Sequence, residues 1–87
     1  MDAAKAASNL DKHKLSFEEA ATAFGDPLSR TIPDPLHTDE EERFILLGQT
    51  FRGRVVVLVH VERGSVVRII SARLATRTER QSYEEEA

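Results

Sequence analysis

Cysteine is absent from the 87 residues. That excludes a disulfide framework, a thiolate nucleophile and any Cys-based zinc site. No apolar run approaches the ~20 residues of a membrane span, and the opening stretch MDAAKAASNLDKHK lacks the apolar core of a secretory signal. A cytoplasmic protein is therefore expected. Internal repeats, a glycine-rich phosphate loop, a G-x-S-x-G elbow and a Cys/His nucleophile pair are all missing. The three histidines, His13, His37 and His60, are dispersed without metal-ligand spacing. The acidic run 39–42 lacks the alternating ligands and the glycine of a calcium loop. Neither a metal nor a cofactor is expected. A chain of this length forms one domain at most, residues 1–87, and buries only about 60–65% of its unfolded surface.

Lysine is also missing beyond Lys14. Residues 48–80 carry seven arginines against two acids, whereas residues 1–47 carry ten acids against five Lys/Arg, and residues 81–87 add three glutamates. The net charge of −3 hides this segregation. Arginine offers a planar fork of donors suited to phosphate or carboxylate, where lysine is a point charge. Some of these arginines serve as ordinary solubilising residues, but seven in one block beside an acidic half point to anion binding.

Periodicity divides the chain. Ala3, Ala6, Ala7 and Leu10 predict a first helix over residues 2–13. Ser16-Phe17-Glu18-Glu19 has the form of a capping box that opens a second helix over about residues 17–24, stopped by Gly25-Asp26-Pro27. Residues 25–42 hold all three prolines and read as irregular, with one short strand at 28–32. The period then changes to that of strands at 43–50, 54–62 and 66–73, rich in Val, Ile and Leu. Gly64-Ser65 fits a two-residue hairpin turn with glycine where φ must be positive. A second capping box, Thr76-Arg77-Thr78-Glu79, opens a C-terminal helix to about Glu85. The fold class is α+β: a small antiparallel meander with two N-terminal helices and one C-terminal helix.

The odd positions Val55, Val57, Val59 and Val61 form an all-valine face, read as the face buried against helices. A two-residue turn pairs His60 with Ile69 and Val56 with Arg73, which places His60, Glu62, Arg54, Ser71 and Arg73 on the other face. The same register sets Arg68 on the valine face. A three-residue turn would exchange the two arginines, because a slip of one residue flips every side chain. The two-residue turn is preferred for its Gly-Ser sequence.

An enzyme built from these parts would use arginine to stabilise developing charge and histidine to move a proton. That set suits RNA cleavage by the internal 2′-hydroxyl. Arg73, at the end of the last strand, is the expected main phosphate ligand, and Arg43, at the start of the first, a second. His60 is the expected proton-transfer group, since histidine titrates near neutrality. Arg54, Arg68, Arg77 and Arg80, all expected to be exposed, complete the positive field. The alternative is a non-catalytic binding module whose arginine face takes an acidic protein or nucleic acid.

The ordered set Asp2-x-x-Lys5-Ala, Asn9-x-x-Lys12-His13, Ser16-Phe17-Glu18-Glu19-Ala20, Asp26-Pro27, Glu42-Arg43-Phe44, Gly53-Arg54, His60-Val61-Glu62-Arg63, Arg68-Ile69-Ile70-Ser71-Ala72-Arg73, Glu79-Arg80 and Tyr83 resembles the BrnT family of bacterial toxins. The resemblance implies a RelE-like fold, metal-independent RNA cleavage that arrests growth, and neutralisation by a small DNA-binding antitoxin in a complex of higher order. It also adds His13 to the catalytic candidates and Lys12 to the RNA-binding ones. Members usually open with a strand ending in aromatic-Trp-Asp, and Met1 stands here where that tryptophan would be. Loss of such a strand would expose a sheet edge.

Overall fold

The structure, a computed structural model, describes residues 15–35 and 42–86. The helix expected over residues 2–13, with Lys12 and His13, lies outside the described residues, as does His37. Helix α1 spans Phe17–Ala21 and tightens into a 3-10 turn, Thr22–Gly25. Its cap is half of the expected box. The Ser16 hydroxyl accepts from the Glu19 amide at 2.9 Å, but the Glu19 carboxylate turns away from the cap to bind Thr50 and Arg54.

Four strands follow: β1 (Arg30–Pro33), β2 (Glu42–Gln49), β3 (Val55–Arg63) and β4 (Val66–Leu74). They form one antiparallel sheet in the order β1-β2-β3-β4. Helix α2, Arg77–Glu86, closes the chain. Here both halves of the capping box are made: the Thr76 hydroxyl accepts from the Glu79 amide at 3.2 Å, and the Thr76 amide donates to the Glu79 carboxylate at 2.8 Å. The architecture is α+β, with one helix before the sheet and one after it among the described residues.

Register decides what each face carries. The hairpin turns through two residues, Arg63 pairing with Val66 and His60 with Ile69, and Gly64 sits at φ 60°. The pairing then shifts by one: Val59 meets Ser71 and Val57 meets Arg73, with Ile70 as the extra residue of a β-bulge. Beyond the bulge Arg73 takes the face that a three-residue turn would have given it, although the His60–Arg68 pairing of that register does not form. Arg68 opposes Val61 and Arg73 opposes Val57, so both arginines share the valine face. This corrects the expectation that Arg73 lies beside His60.

The helix-packed face is also the reverse of the expected one. Leu15, Phe17, Ala20 and Ala23 pack on Leu46, Val56, Leu58, Ile69 and Ala72, so the even positions of β3 face α1. Strand β3 is apolar on both faces through its middle, and its own pattern could not choose between them. The small residues of neighbouring strands do. A Cβ on Gly48 would stand 3.0 Å from the Ser29 Cβ and 3.3 Å from the Ala23 carbonyl oxygen, so the 3-10 turn approaches the sheet only over a glycine. Ala72 provides similar room on β4.

Helix α2 borders the odd face at its Leu47–Val57 end and is held largely by polar links. The buried Tyr83 hydroxyl donates to the Asp26 carboxylate at 2.5 Å, and Arg30 donates to the Ser82 hydroxyl at 3.0 Å. Asp26 also accepts from the Leu28 and Gln49 amides. Burial and the Asp26 bond together raise the Tyr83 phenol to about 12. Burial opposes ionisation of Asp26, but the Tyr83 hydroxyl and the two amides outweigh it and hold that carboxyl below its usual range.

Candidate functional site

Cα partners across strands share a face, so the odd face can be assembled row by row. One row runs Arg30, Leu47, Val57, Arg73, and another runs Arg43, Val61, Arg68. Arg63 and Val66 form a third at the hairpin end. Five arginines therefore rim an apolar floor that also includes Ile32, Ile45 and Val59. Strands lie about 4.8 Å apart and rise about 3.4 Å per residue. The rim is thus roughly 15 Å wide at the Arg30–Arg73 row and roughly 13 Å long from Val57 to Val61. Beside α2 the floor deepens into a groove of about 260 Å³ lined by Arg30, Ile32, Ile45, Leu47 and Val57, with Glu79 and Ser82 above.

Arg73 and Arg43 already hold carboxylates. Arg73 donates from both terminal nitrogens to Glu79, at 2.7 and 2.9 Å. That bidentate pair raises the Arg73 guanidinium further and lowers the Glu79 carboxyl to about 2. The geometry is that of a guanidinium on a planar oxyanion, the same fork that would receive a phosphate. Arg43 pairs with the buried Asp34 at 3.0 Å, its position fixed by the Asp34 amide bonding the Arg43 carbonyl at 2.8 Å. Arg63 and Arg68 are exposed and carry no ion pair among the described residues. Arg77 and Arg80 are exposed on α2.

His60 stands apart from this set. It is 2% exposed on the opposite face, stacked on Phe44 at 5.5 Å and met edge-on by Phe24 at 5.0 Å. Its Nε2 is 3.2 Å from the Glu62 carboxylate, and its Nδ1 is buried without a partner. A ring so enclosed cannot reach a phosphate held by Arg73 across the sheet.

Arg54 is the second departure. Expected to be exposed, it is half-buried, its Nε donating to Glu19 at 2.8 Å and its Nη2 to the other Glu19 oxygen. Thr50 adds a third bond to that buried carboxylate at 2.9 Å. The Arg54 bonds hold Glu19 below the usual carboxylate range despite its burial and raise the Arg54 guanidinium in turn. The pair ties α1 to the β2–β3 turn, which leaves Arg54 little freedom to meet a ligand.

The sequence reading missed Arg30 and Arg63 as members of the arginine face, and Glu79 and Asp34 as its counter-ions. Alternation along β2 and β3 could have found Arg63. Arg30 depends on a strand too short to show a period. Among the described residues no group of three or more His, Asp or Glu side chains could hold a metal ion, and no helix is long and apolar enough to cross a membrane.

No curated protein matches the chain. The family model described as the ribonuclease toxin BrnT of type II toxin–antitoxin systems matches residues 1–79, which is most of the chain, and the protein belongs to that family.

Proposed function

We propose that this ribonuclease toxin binds its RNA across the odd face of the sheet and cleaves it without a metal. The observation that carries the reading is the gathering of Arg30, Arg43, Arg63, Arg68 and Arg73 on one face around an apolar floor. Guanidinium groups neutralise the substrate phosphates, and the floor accepts the faces of bases. In the cleavage step the neighbouring 2′-oxygen attacks phosphorus, and the bond to the 5′-oxygen breaks. The products are a 2′,3′-cyclic phosphate and a 5′-hydroxyl. Arg73 and Arg43 stabilise the charge on the pentacoordinate phosphate, His13 is the family-derived candidate for proton transfer, and Lys12 is the family-derived candidate for RNA binding. Arg77 and Arg80 extend the field along α2. A RelE-like lineage, a cytoplasmic setting, and an antitoxin that meets this face with an acidic segment in a higher-order complex belong to the same reading.

The test is cleavage of a single-stranded RNA by Arg68→Ala and Arg73→Ala. Removal of a donor to developing charge costs on the order of 10²–10³ in rate, which is expected for Arg73→Ala. Arg68→Ala should act mainly on affinity and flatten the salt dependence by about 0.7 in log–log slope for each phosphate it no longer neutralises. Wild-type rates and salt slopes in both folded variants would refute the assignment.

A further inference from the structure

Phe51, in the turn between β2 and β3, is 70% exposed, more than any other large apolar side chain among the described residues. A lone exposed phenylalanine would need no explanation. This one is presented on a fixed support beside a cation. The Phe51 amide donates to the Thr22 hydroxyl at 2.9 Å, and that hydroxyl donates to the Glu19 carbonyl at 2.6 Å. Thr50 bonds Arg54 across the turn, Gly53 bonds back to Thr50, and the Gln49 side chain donates to the Gly53 carbonyl. The buried Glu19 locks Thr50 and Arg54 from below. Over the ring, the Arg52 guanidinium carbon lies 5.6 Å from its centroid, and the Arg52 side chain is 66% exposed.

A rigid π-face with a guanidinium against it is the arrangement that takes an unpaired nucleobase: the base stacks, and the cation meets the adjoining phosphate. We infer that Phe51 and Arg52 form a stacking site for one unpaired base of the RNA. Charge favours RNA over a protein partner, since the group set against the ring is a guanidinium. The same end of the sheet, where the Ala75 amide bonds the Val55 carbonyl, leads into the exposed Arg77. The inference rests on the reading that RNA is bound by the arginine face.

The chain contains no tryptophan, so Phe51→Trp installs the only indole at the site, and its emission is read apart from that of Tyr83. Two probes separate base from backbone: a short 2′-O-methyl oligoribonucleotide, which resists attack by the 2′-oxygen, and an abasic oligomer of equal length and charge. Emission from Phe51→Trp should be quenched by the first and not by the second. Phe51→Ala should weaken binding of the first by roughly 5- to 150-fold and leave the second unchanged. Equal binding of both probes by Phe51→Ala and wild type would overturn the stacking site alone. Failure of wild type to bind either probe would overturn the RNA face and the stacking site together. A defect confined to antitoxin binding would reassign Phe51 to a protein interface and overturn the inference.

Discussion

Arg73 and Glu79 face each other through two parallel hydrogen bonds, joining the last strand to the first turn of α2. The Glu79 carboxyl is lowered from 4.5 to about 2, first by Arg73 and then with help from Thr76. A carboxyl depressed on folding stabilises the protein above its unfolded value, and that contribution is lost as pH falls through the folded one. Urea midpoints of wild type and Glu79→Gln should therefore differ at pH 7, converge below pH 4.5 and coincide near pH 2. A difference that persists to pH 2 would show that the carboxylate is not the source. Both side chains are substantially exposed, so the gap at neutral pH should be modest, about 1 kcal/mol.

The Glu19–Arg54 pair lies deeper and should matter more. Glu19→Ala leaves a half-buried guanidinium and a buried Thr50 hydroxyl without their shared acceptor. Breaking one side of a buried pair costs about 3–5 kcal/mol, and partial exposure of Arg54 places this one near the lower end. Arg54→Lys should recover little, because a lysine cannot reproduce a bidentate fork. Equilibrium urea unfolding with unchanged m-values is the measurement, and a destabilisation under about 1 kcal/mol would contradict the pairing.

His60→Phe separates catalysis from packing. The substitution keeps an aromatic ring between Phe44 and Phe24 and removes the buried, unpartnered Nδ1. Stability should stay within about 1 kcal/mol of wild type, whereas His60→Ala should lose about 2–4 kcal/mol to the cavity. RNA cleavage by His60→Phe should remain within a few-fold of wild type. A rate collapse in a variant of unchanged stability would return His60 to the chemistry.

How much was legible from the sequence varies by element, for physical reasons. The two capping sequences marked the starts of α1 and α2 because a cap depends on residues three apart, and the Gly64-Ser65 turn marked the hairpin for the same local reason. The face of β3 was not legible: residues 55–59 are apolar on both sides, and Gly48 and Ala72, on other strands, settle which side meets α1. Of the site, the arginine-rich block was visible as composition. Which arginines act together was not, since a carboxylate far along the chain takes Arg54, and His60 is enclosed by rings from two separate segments.

Tyr83 is the only tyrosine in the chain, so its ionisation can be followed by ultraviolet absorbance without interference. Its phenol is raised to about 12 by burial and by Asp26. A group raised on folding stabilises below its unfolded value near 10, and that contribution fades as pH climbs through the folded one. Native protein should titrate well above 10 and urea-unfolded protein near 10. Tyr83→Phe should release α2 and speed amide exchange there more than in the sheet. A native midpoint at 10 would mean that Tyr83 is not seated on Asp26.

Arg68 and Arg73 are five residues apart, an odd interval that an unbroken strand would send to opposite sides. They share one face of the sheet only because Ile70 is counted out of the pairing. The phase of the second half of β4 is thus carried by the bulge. An in-frame deletion of the Ile70 codon would restore an ideal ladder and still leave Ser71 opposite Val59 and Arg73 opposite Val57, whereas closing the bulge without removing a residue would slip both by one position and turn them toward the α1 side.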